Sequence, residues 1–360
     1  MRPKRILMTA DAVGGVWTFA LELASGLAAE GVGTVLAVLG PPPDEAQRRA
    51  AMAVPGLRLE ITGLDLEWRD RRGIDVPEAR AALPALARES GAELVHVNGY
   101  REAAFGFGQP VLLAAHSCVA SWWRACRGGT PPADWDAYLD GVRRGLAAAG
   151  AVVVPSHAFL SALEAHYGPL ERAAVIHNGR DSSVSFRAGQ RRKVILTAGR
   201  LWDEAKNVAV LAAAAKRLSW PVLAAGEGEA VPGLRPLGRL APHELLALMA
   251  KSEIFCAPSR YEPFGLAVLE AAASGAALVL SDIPTFRELW EGAARFAPAD
   301  DPAALAGVLE EVIADGPQRR ALQQAARERA KVFTRARMTR GYLELYQRLL
   351  AGTRPGEQAA

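Results

Sequence analysis

The sequence predicts an α/β protein in which two doubly wound parallel sheets each build a core of their own. Short apolar runs alternate with helical stretches from the first residues onward, the pattern of strand–helix–strand units whose strands run parallel. Each half opens on such a run leading into glycine, at 5–15 and again at 194–199. With 360 residues, 50% of them hydrophobic, the chain is long enough to bury two cores.

In the first half, 5–10 reads as a buried strand and 18–30 as a helix. Between them lies a glycine loop, Asp11-Ala12-Val13-Gly14-Gly15-Val16-Trp17. The paired glycines Gly14 and Gly15 let backbone approach a ligand closely at the carboxyl edge of a parallel sheet. The loop lacks Gly-x-Gly-x-x-Gly, which disfavours a dinucleotide. Further strands are expected at 34–39, 58–61, 94–98, 111–116 and 151–155, with helices at 76–89 and 156–167. His116 ends its strand and precedes Ser117, so it sits at the sheet's carboxyl edge, where open α/β sheets meet their ligands. His96, inside a strand, reads instead as a histidine satisfied within the core.

The second half opens on the strand 194–199 and continues through Arg200-Leu201-Trp202-Asp203-Glu204-Ala205-Lys206-Asn207. A strand over 221–225 runs into Gly226-Glu227-Gly228, and 253–258 and 277–281 complete the sheet. The stretch that organises this half runs from Ser259 to Gly275. Pro263, Phe264 and Gly265 form a turn, Leu266, Leu269 and Ala273 then recur at helical spacing, and Gly275 stops the helix. Unpaired N–H groups at Gly265, Leu266 and Ala267, with the positive end of the helix dipole, suit a phosphate or pyrophosphate. Glu262 precedes the helix and Glu270 lies about 9 Å further along it at roughly 1.5 Å per residue, so one carboxylate can reach each end of an elongated ligand. Met338, Tyr342, Leu345, Tyr346 and Leu349 form the apolar stripe of a final docking helix over 335–350.

Two glutamates separated by seven residues, with the Pro-Phe-Gly turn and the Ala-Ser-Gly ending, resemble the signature of the retaining glycosyltransferases of family four. That is the group with glycogen-synthase-like, two-Rossmann-domain GT-B architecture, and the resemblance extends over most of the chain. It implies two Rossmann-like domains facing across a cleft: 1–180 on the acceptor side and 181–334 binding the donor. It further implies that the helix over 335–351 crosses back to the first domain, leaving a disordered tail at 352–360. By the same resemblance Glu262 hydrogen-bonds hydroxyls of the donor sugar, Glu270 holds the nucleotide ribose, Gly14 and Gly15 face the donor diphosphate, and His116 contacts the donor sugar and the reacting centre. Gly-Arg-Leu followed by a lysine is the family's other mark, in which Arg200 and Lys206 bind the diphosphate and offset the charge that grows on the departing nucleotide. Five residues separate this pair, where four are usual. Val175-Ile176-His177-Asn178-Gly179 looks like the family's crossover, usually followed by a hydrophobic residue and Asp; Arg180 departs from that pattern and Asp181 keeps it. The polar run 181–192 would be the hinge.

A net charge of +3 leaves no footprint for nucleic acid and does not demand an anionic membrane. Cys118, Cys126 and Cys256 lack metal-ligand spacing and suggest no disulfide framework, which fits a reducing cytoplasm. No apolar run reaches the roughly 20 residues of a spanning helix. Asp134-Trp135-Asp136 superficially matches the Asp-x-Asp metal site of the other large glycosyltransferase fold, but its context reads as an N-cap or first-turn acid of a helix running to 148. The activity that the resemblance implies is hexosyl transfer with retention, from a UDP-, GDP- or ADP-sugar to a saccharide, lipid-linked or small-molecule acceptor, with no cofactor and no metal. A nucleotide-sugar epimerase or a phosphorylase on the same architecture is the alternative, and a nucleotide-binding module without turnover a third reading.

Overall fold

The computed structural model describes residues 1–181 and 190–352. The hinge expected over 181–192 falls mostly outside these residues, and the tail expected over 352–360 falls outside them but for Gly352. The chain forms two compact units: Met1–Arg124 and Gly129–Gly179 with the chain from Arg335 onward, and Arg180–Thr334 with Ala125–Gly128.

The strands of the first unit are β1 (Arg5–Asp11), β2 (Gly33–Leu39), β3 (Leu57–Ile61), β4 (Leu94–Val97), β5 (Val111–Ala114), β6 (Ala151–Val154) and β7 (Ala173–Val175). They pair in the order β3-β2-β1-β4-β5-β6-β7, all parallel. The helices between them are α1 (Gly15–Ala29), α2 (Glu45–Met52), α3 (Val76–Glu89), α4 (Val119–Arg127), α5 (Asp136–Ala148) and α6 (His157–Tyr167). Parallel strands covered on both faces must be apolar throughout, and β4, β5 and β6 are buried at every position. The order reverses between β1 and β4, so the loops after these two strands flank the switch point at which open sheets bind ligands.

Three expectations shift here. The first helix starts at Gly15 rather than at Thr18, because the Asp11 carboxylate accepts from Val13 N (2.8 Å) and Gly14 N (3.2 Å) and turns the chain directly into it. His116 lies two residues beyond the end of β5, in the loop rather than in the strand. Asp134 sits in a 3₁₀ turn over Ala133–Trp135 that precedes α5, so Asp136 is the first-turn acid of that helix.

In the second unit β8 (Arg192–Ala198), β9 (Val222–Ala225), β10 (Arg235–Gly238), β11 (Ser252–Ala257), β12 (Ala277–Ser281) and β13 (Ala294–Ala297) pair as β10-β9-β8-β11-β12-β13, again all parallel. The accompanying helices are α7 (Val208–Ala215), α8 (Pro242–Lys251), α9 (Leu266–Ala273), α10 (Pro284–Trp290), α11 (Pro302–Ala314) and α12 (Gly316–Ala330). The reversal now falls between β8 and β11. The loop after β8 carries Arg200 and Lys206, and the loop after β11 carries Glu262 and leads into α9.

The last helix, α13 (Arg335–Leu350), belongs to the first unit and supplies Met338, Tyr342, Leu345 and Tyr346 to its core. It packs on α1, where a side chain at Gly26 would place its Cβ 1.9 Å from Thr339 Oγ1; the missing side chain is what allows the close approach. Arg335 Nε donates to Glu22 Oε2 at 2.6 Å across the same contact.

Candidate active site

At the carboxyl edge of the first sheet Asn98 and His116 are oriented by uncharged groups, while the Asp11 carboxylate shapes the loop after β1 and the Glu67 carboxyl group accepts from Tyr100 N and Arg101 N in the loop after β4. Asn98, immediately after β4, takes Thr9 Oγ1 as acceptor for its backbone N–H (2.9 Å) and gives its side-chain N–H to Thr9 O (2.5 Å). With the amide nitrogen committed, Asn98 Oδ1 faces His116 Nε2 at 2.7 Å and accepts a hydrogen bond from its N–H, which leaves Nδ1 as the acceptor of the ring. Phe19 stands against the imidazole with centroids 4.4 Å apart, and burial pushes the His116 pKa down to about 4. At neutral pH this histidine is an oriented, uncharged hydrogen-bond partner. His96 is a different case: fully buried, 2.6 Å from the Tyr346 hydroxyl and stacked on Tyr342, it is held neutral by burial with a pKa near 3. It is a core residue, as its place in mid-strand predicts. Gly14 caps α1 without help from a side chain and Gly15 opens it.

The second unit gathers ions. Gly265, at φ +89°, turns the chain into α9, and its own position offers no side chain to cap that end. Leu266 is half-buried at the first helical position, whereas the Phe264 ring is 3% exposed and lies edge-on to Phe333, centroids 5.5 Å apart. Lys206 Nζ lies 2.5 Å from Glu262 Oε2, and both line a small cleft with Gly199, Ser259 and Ala267. The extra residue between Arg200 and Lys206 is absorbed locally. Glu204–Lys206 form one 3₁₀ turn, Asn207 leaves it with φ +52°, and Asn207 Nδ2 donates to Pro258 O (2.9 Å) and Ala299 O (2.7 Å). Arg260 N also donates to Ala205 O at 2.9 Å, so the loop that presents Lys206 is stitched to the loop that presents Glu262.

Arg200 donates to Asp203 Oδ2 at 2.8 Å, with the guanidinium 5.5 Å from the Trp202 ring. Asp203 is only 8% exposed and also accepts from Ala205 N, so it is itself fixed. Behind Arg200 the ends of β8 and β9 nearly touch: a Cβ at Gly226 would lie 1.8 Å from Gly199 O, so no larger residue fits there. Glu270, in the second turn of α9, pairs with Arg180, Nη2 to Oε1 at 3.0 Å.

Of the residues singled out from the sequence, Lys206 and Glu262 are in direct contact, Arg200 lies in the loop that presents Lys206, Phe264 and Gly265 form the turn into α9, and Leu266 and Glu270 lie on that helix. Gly14, Gly15 and His116 belong to the other unit. Sequence reasoning passed over Asn98, Asp203 and the partner role of Arg180. An Asn at the end of a strand beside the switch point was a usable signal for the first; the others are pairings that spacing does not reveal. Among the described residues no three His, Cys, Asp or Glu side chains are grouped to hold a metal ion. Asp134 is engaged with Arg71 at 3.0 Å. No described helix is long and apolar enough to cross a membrane.

Residues 13–184 match the family model Glycosyltransferase Family 4, and residues 192–315 match Glycosyl transferases group 1. Among curated proteins the chain is 34% identical over 190 residues to glycogen synthase of Mycobacterium tuberculosis, 45% of each chain, so the match spans about half the length of that relative. Among solved structures it superposes on sucrose-phosphate synthase of Thermosynechococcus elongatus with a TM-score of 0.82 at 20% identity, covering 97% of this chain and 100% of the other. Anabaena HepE, solved in complex with UDP-glucose, gives a TM-score of 0.75 at 17% identity over 95% and 99% of the two chains.

Proposed function

We propose that the chain is a glycosyltransferase of the family 4 type and that it moves a hexose from a nucleoside-diphosphate sugar to a hydroxyl acceptor with retention of configuration, a reading supported by the two family models matched along the chain. The observation that carries the reading is the set of opposite charges around the glycine-led start of α9: Arg200, Lys206 and Glu262 at the adjoining loops, Glu270 on the helix. A diphosphate accepts from the N–H groups of a helix start and is neutralised by fixed cations. Arg200 and Lys206 stabilise the leaving phosphate as its charge grows, Glu262 binds sugar hydroxyls and Glu270 the ribose. His116, neutral and oriented by Asn98, accepts a hydrogen bond from a sugar hydroxyl at the reacting centre. The departing phosphate oxygen takes the proton of the incoming hydroxyl on the same face, so the protein needs no second catalytic carboxylate, and no metal is required for charge compensation. The UDP-glucose complex of HepE supports a nucleoside-diphosphate sugar as donor, and UDP-, GDP- and ADP-sugars are the candidates. A saccharide, a lipid-linked sugar or a small molecule serves as acceptor.

The test is a donor panel of UDP-, GDP- and ADP-glucose and the corresponding mannose donors, with release of the nucleoside diphosphate followed with and without saccharide acceptors. The anomeric configuration of the product is read by NMR. Acceptor-dependent release of one nucleotide and an α-linked product from an α-donor are expected. Epimerised donor without transfer, phosphorolysis, or an inverted product would each overturn the proposal.

A further inference from the structure

Position 180 is where the family pattern would carry a hydrophobic residue, and here it carries an arginine whose guanidinium meets the carboxylate of Glu270. Both side chains are largely shielded, at 20% and 15% exposure, so this is not one of the solvated surface pairs that contribute little. The arginine is fixed from behind as well. Arg180 N donates to Phe333 O at 3.1 Å, and residue 180 bridges to Thr334 in a parallel β-bridge. Phe333 in turn stands edge-on to Phe264, in the turn that launches α9. The backbone that carries the guanidinium and the turn that starts the helix of Glu270 thus lean on one aromatic contact.

A glutamate side chain has three torsions to immobilise, and a largely shielded carboxylate without a cation is drawn toward solvent. A guanidinium on Oε1 fixes the torsions and removes that pull. It also leaves acceptor capacity, since an ionised carboxylate offers about four lone-pair sites. An apolar residue at 180 could do neither. We propose that Arg180 is a positioning residue of the donor site, holding the Glu270 carboxylate aimed so that it accepts from the ribose hydroxyls of the nucleotide. The inference rests on the assignment of Glu270 to the ribose made above, and its test separates the two.

Calorimetry is run on the wild type, Arg180→Met, Arg180→Lys and Glu270→Gln with UDP and its 2′-deoxy and 3′-deoxy counterparts, and in parallel with the GDP and ADP sets. Each variant is first checked by thermal melting, and Arg180→Lys carries the experiment if Arg180→Met does not fold. For the nucleotide that binds, the wild type should prefer the ribose form over a deoxy form by about tenfold or more, the worth of a hydrogen bond to a charged group. Arg180→Met should bring that ratio to within about twofold while leaving affinity for the deoxy form unchanged, and Arg180→Lys should restore part of it, since lysine keeps the charge without the planar fork. A folded Arg180→Met protein that keeps the wild-type ratio, or that loses affinity equally for ribose and deoxy forms, overturns the positioning role. A Glu270→Gln protein that keeps the ratio overturns the ribose assignment instead. A wild type that binds none of the three nucleotides overturns the donor-site reading, and this inference with it.

Discussion

The two sheets set their candidate residues at the same kind of edge by different means, the first also carrying Asp11 after β1 and the Arg101 ion pairs with Asp70 and Asp75 after β4. At the switch point of the first, the chain Thr9–Asn98–His116 contains no formal charge, and burial keeps the imidazole neutral. At the switch point of the second, the loops after β8 and β11 bring together Arg200 with Asp203 and Lys206 with Glu262, and Arg180, from the start of the unit, meets Glu270 on α9. A neutral relay fixes direction without creating a field. Paired ions fix cations that can exchange one anionic partner for another, so under the proposed function a diphosphate entering beside them would meet charge already in place rather than charge to be desolvated. Under the proposed function, His116 would orient a hydroxyl and Arg200 and Lys206 would offset the charge of a leaving group.

The largest effect should come from breaking the charged edge at Arg200. If the guanidinium grips the leaving phosphate more tightly as its bond breaks, Arg200→Ala lowers turnover as well as donor affinity. Removing a charge-assisted hydrogen bond costs roughly 1.5 to 3 kcal/mol, about 10- to 150-fold in rate. Arg200→Lys should recover part of that loss, because the point charge remains and the fork does not. Steady-state kinetics at saturating donor decide it: a folded Arg200→Ala enzyme with unchanged turnover would make this arginine a surface residue and erase the contrast between the two edges.

How much of this was legible beforehand follows the same line. Strands buried on both faces announce themselves as apolar runs, so β12 and α13 begin and end where the sequence puts them. β10, which contains Pro236 and is exposed at every position, and the three-residue β7 carry no such signal and exist through their neighbours in the sheet. The candidate residues were readable because a glycine-led helix start and a Gly-Arg-Leu loop have fixed chemistry. Their pairings were not. Lys206 meets Glu262 across 56 positions of sequence, and nothing local told that a 3₁₀ turn closed by a left-handed Asn207 would absorb the longer Arg200–Lys206 spacing. Arg180 was visible as a departure from pattern, but its partner could be named only once α9 lay beside it.

The neutral relay makes a smaller prediction, in stability rather than rate. His116 and His96 have folded-state pKa values near 4 and near 3, below the ordinary 6.5, so below about pH 6.5 the unfolded chain binds protons that the fold refuses. Their contribution is therefore complete above pH 6.5 and is lost as pH falls toward 4, each histidine adding a slope of at most about 1.4 kcal/mol per pH unit. Urea midpoints at pH 7, 6 and 5 should fall steadily for the wild type, and the slope should lessen in His116→Gln, whose amide can still meet Asn98. An unchanged slope would mean that His116 is solvated and charged near pH 6, and that the relay is not neutral after all.

The smallest expected effect is the one that would most damage the contrast if it proved large. If the cations of the second edge suffice for the leaving group, turnover in excess chelator equals turnover without it. The acidic triplet Asp134-Trp135-Asp136 should then be dispensable for catalysis. Asp134 is 58% exposed and paired with Arg71, which is itself 48% exposed, and such a pair contributes roughly 0 to 1 kcal/mol. Asp134→Ala should thus lower stability by less than about 1 kcal/mol and leave kcat and KM alone. Kinetics of the variant and of the wild type with and without EDTA, followed by added Mg²⁺ or Mn²⁺, are the measurement. Loss of turnover in chelator with rescue by either ion would show that the protein's own cations do not carry the leaving-group charge. Arg200 and Lys206 would then hold the diphosphate in place without being the source of the rate.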